Sequence, residues 1–284
     1  MAAKKTAWPP FPHDQAAFDY AGDKLRKAWS KLHAGDREPY PDLDRAEELL
    51  GAVTKPPKGL DAKALAARLQ EAWRAYHRGD FQAAFEAGEA LGPLGASVAC
   101  KAIGIHAIYL VDDEAERLKR FEKAAELAEA AMLALPDEPN SHYRRAFALG
   151  RYSQGISIAK ALKLGLAGKV RESLDTTLAL APDHAEAHTA LGLYHAEIIA
   201  KVGSMIGGLT YGAKASEAEK HLKTALRLTP DSPIAHIEYG NMLLLLHGDK
   251  GEDAAAAAYE KASSLKPKDA MEKLDVEFAR SQLE

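Results

Sequence analysis

The side chains of this 284-residue chain that could do chemistry are eleven histidines, one cysteine and several adjacent carboxylates. His184 and His188 stand four apart, a spacing that puts both on one helix face, and His195 extends that face. Such a pair could ligate a metal, and His188, His195 and Glu197 in one cleft would be the group an enzyme needs. A plainer explanation comes from the prolines. His142, His188 and His236 each lie six residues after Pro136, Pro182 and Pro230, so each holds the same position of a repeated unit. Packing at a repeat contact accounts for them without a metal. His33 and His77 are repeat-related as well, and Cys100 lies in the apolar run from Ala96 to Leu110, where a thiol behaves as a small hydrophobe. Asp112-Asp113 and Glu47-Glu48 read as helix-start or solvated carboxylates. Walker loop, dinucleotide fingerprint, nucleophile elbow and HExxH pair are all missing from the sequence. The run Gly203 to Gly212 is glycine-rich, but neither a preceding strand nor a following Lys-Ser pair makes it a phosphate cradle, and it reads as a flexible turn between helices. No catalytic residue, metal or cofactor is expected.

Two series of repeats set the elements that carry these residues. Ala28-Trp29 to Gly35-Asp36 matches Ala72-Trp73 to Gly79-Asp80 at an offset of 44 residues, keeping Ala, Trp, His, Gly and Asp. Pro136, Pro182, Pro230 and Pro267 close the second series at spacings of 46, 48 and 37 residues. Five residues before each proline stands Ala131, Thr177, Ala225 or Ala262, and twelve before it Ala124, Val170, Ala218 or Ala255. Small residues at fixed places mark helices in close contact, and Leu191-Gly192 aligns with Tyr239-Gly240 in the same way.

Helix-turn-helix units that end in proline resemble the tetratricopeptide (TPR) class, best from about Pro136 to Pro267. The spacings exceed that class's repeat of about 34 residues, so helices or turns must be lengthened. Asp183 to Glu186, Ser216 to Glu219 and Asp269 to Glu272 read as capping boxes, and Pro233 suits a first helical position. The predicted fold is all-α: an α-solenoid of TPR-like hairpins at 14–52, 61–92, 94–134, 139–181, 184–229 and 232–266, closed by a capping helix at 269–283. In terms of organisation, 1–13 is expected to be a flexible N-terminus, 14–92 two N-terminal hairpins, 94–266 the TPR-like repeats and 269–284 the cap.

Two lengthened segments, 150–168 and 192–215, share Ile-Ala-Lys at 158–160 and 199–201. The pattern Gly155-Ile156-Ser157-Ile158-Ala159-Lys160, then Leu191-Gly192 and a long insertion before Glu217-Ala218, resembles the regulator of microtubule dynamics family over roughly the C-terminal half. That resemblance implies an all-helical interaction protein without catalysis, in some members associated with microtubules or organelle membranes.

Lys and Arg number 37 against 41 Asp and Glu, a net charge of -4, so a nucleic-acid footprint is not expected. At 47% hydrophobic residues the chain can bury a core. One cysteine excludes an intramolecular disulfide framework, and neither a secretory leader nor a spanning helix is expected, which makes the cytoplasm the default location. The expected function is a non-catalytic protein-protein interaction scaffold, whose partner is an amphipathic helix or an extended segment. Its groove, counted from the prolines, is Asn140, Tyr143, Phe147, Arg151, Glu186, Thr189, Leu193, Glu197, Ile237 and Asn241. The competing function is a carrier or sensor of an apolar small molecule or lipid held between the long helices; a closed apolar pocket would favour it, an open groove the scaffold. Lysines 160, 163 and 201 leave room for peripheral contact with a membrane.

Overall fold

A computed structural model describes residues 8–284, and within them the chain is all α-helical, without a strand. The first four helices are α1 (Lys24–Leu32), α2 (Leu43–Ala52), α3 (Ala62–Arg78) and α4 (Phe81–Glu89). The repeats follow as α5 (Ala96–Leu110), α6 (Glu114–Ala134), α7 (Pro139–Gln154), α8 (Ile158–Lys163), α9 (Leu166–Leu180) and α10 (Ala185–Val202). The chain ends with α11 (Ser204–Tyr211), α12 (Ala215–Leu228), α13 (Pro233–His247), α14 (Glu252–Ser264) and α15 (Ala270–Ser281).

Hairpins pair α3 with α4, α5 with α6, α7 with α9, α10 with α12 and α13 with α14. The small residues counted from the prolines are all buried at these contacts, from Ala124 and Ala131 on α6 to Ala255 and Ala262 on α14. Gly192 shows why: a Cβ there would stand 2.7 Å from Leu222 Cγ and 3.0 Å from the Ala218 carbonyl. The long repeat spacing comes from α8 and α11, each a short helix inserted between the two helices of a pair.

Helix starts are set by side chains that take up free backbone N–H groups. Asp61 accepts from Ala64 N at 2.7 Å, Asp113 from Glu116 N at 2.7 Å and Asp269 from Glu272 N at 2.9 Å. The expected capping box at Asp183 shifts by one residue: His184 caps α10 through Nδ1, and Glu186 turns inward to Lys101 instead of back to the cap. Ser216 lies inside the first turn of α12, whose start at Lys214 has no side-chain cap. Pro233 does begin α13.

Several expectations change at the N-terminal end. Residues 8–13 are packed rather than flexible: Phe11 is buried against Phe18 and Phe81, and Trp8 stacks on Phe85; residues 1–7 lie outside the described part. The 14–52 hairpin does not form as such, because α1 and α2 each seek α3. Leu25 and Trp29 of α1 share a cluster with Trp73 and Tyr76, whereas Ala46 and Leu49 of α2 share another with Leu65 and Leu69. The glycine-rich 203–212 run is a helix, α11, set off by Gly203 and Gly212 at positive φ, with Gly207 against Ile198 and Ala213. The run Gly92–Leu110 is long and apolar enough to cross a membrane by length and composition, contrary to expectation, but 72% of it is buried in the protein, as befits a core helix.

The solenoid closes on itself. Besides capping α14, α15 inserts Ala270 and Leu274 into the cluster of Trp73, Tyr76, Leu25 and Trp29. Tyr20 donates to the Lys268 carbonyl, which joins the two ends of the chain, and Glu186 N donates to the Gly35 carbonyl at 3.0 Å, which ties the N-terminal loop to the start of α10.

Candidate functional site

First helices of successive pairs turn their inner faces toward one another, and between them lies a cavity of about 330 Å³. α5 contributes Ile105 and Tyr109, α7 Phe147 and Arg151, α9 Val170, α10 Leu193 and Ile198, α13 Glu238 and α15 Asp275. Its volume lies within the range of small-molecule pockets, roughly 300–1,000 Å³. Exposed lining residues gather on one side, at Ile158, Leu162, Gly165, Gly168 and Lys201, so the cavity opens beside α8 and the end of α10. Buried lining residues such as Lys101, Arg144, Thr189 and Asp275 mark the inner end.

Burial of charge at that inner end needs full pairing. Lys101 Nζ lies 2.6 Å from Asp36 and 3.0 Å from Glu186, and Arg144 lies 2.6 Å from the same Asp36 oxygen. Although burial opposes it, Lys101, His33 and Arg144 hold the Asp36 carboxyl well below the usual carboxylate range. The loop that supplies Asp36 includes Arg37 at φ 53, a left-handed conformation uncommon outside glycine, and Arg37 pairs with Asp183 at the start of α10. Glu38 beside it is pushed up to about 7 by burial and by Asp36. Arg151 pairs with Glu238 at 2.8 Å. On α15, Asp275 accepts from the Tyr109 hydroxyl through Oδ1, while Oδ2 has no protein partner. Burial first, then Glu272, Asp269 and Glu238, push its carboxyl well above the usual range.

Behind this wall runs a buried chain of four groups. His33 Nδ1 lies 2.8 Å from Asp36, the two Nε2 atoms of His33 and His77 meet at 3.2 Å, and His77 Nδ1 lies 2.8 Å from Asp269. It ties α1, α3 and the start of α15 together.

Of the ten groove positions, Tyr143, Phe147, Arg151, Glu186, Thr189, Leu193 and Glu197 line the cavity. Three lie elsewhere. Asn140 is buried in hydrogen bonds to the Asp36 carbonyl, Glu38 and His184; Ile237 packs in the core with Tyr259 and Ala262; Asn241 joins Glu238 to the Tyr259 hydroxyl. All three stand on α7 or α13, which do contribute to the wall through neighbouring residues such as Tyr143, Ile234 and Glu238. Ile105, Tyr109 and Asp275 were missed, since the first two sit in an unpatterned apolar helix and Asp275 comes from the cap.

The histidines at the repeat position share one task. His142, His188 and His236 donate from Nε2 to the carbonyls of Pro136, Pro182 and Pro230 at 2.7, 3.0 and 2.8 Å. A carbonyl only accepts, so each ring carries its hydrogen on Nε2. His188 Nδ1 is thereby an acceptor, and His221 Nδ1 donates to it at 2.8 Å. Burial lowers His195 and His221 to about 4. Among the described residues, no group of three or more His, Cys, Asp or Glu is placed to hold a metal ion. Cys100 is buried, its thiol donating to the Ala124 carbonyl and pushed up to about 12 by burial, which suits packing rather than reactivity.

No curated protein matches the chain. A solved structure, that of a thermophilic TPR protein of Thermus thermophilus, superposes with a TM-score of 0.53 at 19% identity, covering 77% of this chain and all of that one. This likeness establishes the fold, a TPR-like helical repeat. Residues 97–205 match the family model of the regulator of microtubule dynamics proteins 1-3, a segment that runs from α5 to the start of α11 and contains most of the cavity wall. The chain has a TPR-like fold, and its central repeats are similar to the regulator of microtubule dynamics family.

Proposed function

We propose that the protein carries or senses an elongated apolar small molecule, held in the cavity between α5, α7, α9 and α10. The observation behind this is the closure of the inner face: α15 reaches α3, the 33–38 loop backs Lys101 and Arg144 of the wall, and the exposed lining residues of the aliphatic and aromatic chamber gather beside α8. An extended peptide would need an open groove along the stack, and the inner face offers none at its closed end.

Gly150 supplies the test. It lines the cavity on α7, and a Cβ built there meets nothing within 4 Å. Gly150→Leu therefore adds bulk to the chamber wall, and replacing a helical glycine by leucine favours the helix by up to about 1 kcal/mol. The expected outcome is native mass spectrometry of the purified wild type showing a bound species of a few hundred daltons, with the signal lost in Gly150→Leu at unchanged helicity. Protein that stays bare in both forms, and does not bind a fluorescent apolar dye, rejects the carrier.

A protein-interaction scaffold is the second reading, suggested by the TPR-like fold and favoured by α11. Met205 is 77% and Leu209 85% exposed, and Ile206 lies open beside them. Exposed apolar side chains in a row suit a partner's amphipathic helix. Capture of one stoichiometric protein, abolished by Met205→Ser with Leu209→Ser but not by Gly150→Leu, would put this function first.

A further inference from the structure

We infer that the cavity takes an amphiphile whose polar end is a protonated amine seated at Asp275, with its hydrocarbon lying along the chamber toward α8. The inference rests on the carrier proposal and adds the chemistry of the head.

Asp275 is 1% exposed and lines the inner end of the chamber. Its Oδ1 accepts from Tyr109, and its Oδ2 has no protein partner. Buried polar atoms are nearly always paired in folded proteins, so an unpaired one on a residue of the cavity wall marks a place where a ligand's polar end can complete the pairing. Only one other buried side-chain atom among the described residues shares this condition, Arg145 Nε, and Arg145 is not part of the lining.

The cations of the inner end argue against an anionic head there, and Lys201, at the opening, pairs with Glu197 at 3.5 Å. Lys101 and Arg144 are both held by Asp36 at 2.6 Å, and Arg151 is held by Glu238 at 2.8 Å. A phosphate or carboxylate would have to break a buried ion pair to reach any of them, which is costly. Near Asp275 the balance runs the other way. Glu238, Glu272 and Asp269 add negative potential there, and burial together with these carboxylates keeps the Asp275 carboxyl from ionising by itself. An amine that enters neutral takes the carboxyl proton from Oδ2, and one that enters as ammonium displaces that proton to water; in either case the product is an ammonium donating to the Asp275 carboxylate in a charge-assisted hydrogen bond. From there to the opening the wall is apolar, through Ile105, Phe147, Val170, Leu193 and Ile198.

The experiment uses full-length protein loaded with N-phenyl-1-naphthylamine, displaced at pH 7 by dodecylamine, dodecanol or dodecanoate below their aggregation concentrations. Dodecylamine should displace the dye at about tenfold lower concentration than the other two, a preference worth about 1.4 kcal/mol. In Asp275→Asn, which keeps an acceptor for Tyr109 but cannot give up a proton and take a negative charge, the amine should fall to the level of the alcohol, with dodecanol unchanged. Should that variant lose helicity, Tyr109→Phe replaces it: with its one protein donor gone, Asp275 should raise the amine preference a few-fold further. Equal displacement by all three, preference for dodecanoate, or an amine preference that survives Asp275→Asn overturns the head assignment while leaving the carrier standing. Failure of the dye itself to bind, in wild type as in Gly150→Leu, removes the carrier proposal and the head assignment with it.

Discussion

Gly192 is the position where a single hydrogen in place of a side chain decides a helix contact. Leu222 Cγ and the Ala218 carbonyl both stand within 3.0 Å of where its Cβ would be, whereas at Gly240 the nearest atoms are 3.3 Å away. Gly192→Leu must push α10 from α12 and should cost of order 1–3 kcal/mol, with Gly240→Leu somewhat milder. Urea melts check both, and an unchanged midpoint for Gly192→Leu would mean that this pair of helices can part freely. His221 makes a second, pH-dependent case. Burial, then the neighbouring His188 and His195, lowers it to about 4 from the ordinary 6.5. Between those values the unfolded chain binds a proton that the folded chain refuses, so this group makes stability rise with pH from about 4 to 6.5. In His221→Gln that contribution disappears, and the stability gap between wild type and variant should be wider at pH 7.5 than at pH 4.5. Thermal melts at the two pH values read this, and a gap that narrows on going to pH 7.5 contradicts the burial argument. The glycines and repeat histidines were legible because each recurs at a fixed distance from a proline. The Asp36, Lys101, Arg144 and Glu186 group was not, since its members are up to 150 residues apart and belong to no single repeat.

The inserted helices α8 and α11 explain how a TPR-like chain reaches spacings of 46 and 48 residues without losing its helix contacts. α7 still meets α9 and α10 still meets α12, with the insert displaced outward in each case. Sequence length and the shared Ile-Ala-Lys pointed to both insertions, but glycine content argued for a turn at 203–212, and the structure makes it a helix. Gly203 and Gly212 adopt positive φ at its ends, where the helix must break from α10 and turn toward α12, while Gly207 permits the close approach of Ile198. Propensity was outweighed there by termination at both ends. α8 has the more direct bearing on the cavity, because Ile158 and Leu162 stand at its opening and Ser157 caps its start with an acceptor for Lys160 N at 3.2 Å. Replacing Ser157 by Ala should cost about 1 kcal/mol locally and loosen α8. Dye release from the chamber should then quicken by several-fold with little change in the global melt. Unchanged release would place the exit route elsewhere than beside α8.

Closure changes the energetics expected of a solenoid. In an open stack each repeat feels only its neighbours, so a lesion at one end leaves the other end untouched. Here Leu274 of α15 is buried with Trp73 and Tyr76 of α3, and Asp269 meets His77, which in turn meets His33, across some 190 residues of sequence. Such contacts couple the two ends of the chain directly. The repeats alone predicted a cap at 269–283 but not where its second face would go. An apolar stripe of Ala270, Met271 and Leu274 says that something is covered, and only the curvature accumulated over five hairpins determines that α3 lies there. Leu274→Ala should cost about 2–5 kcal/mol as a core truncation. If the ends are coupled, amide exchange should accelerate in α3 as well as in α14 and α15, while α9, which packs on α7, α8 and α10, changes least. Acceleration confined to α14 and α15 would describe an open stack, and the inner chamber would then lose the closed end on which Asp275 sits.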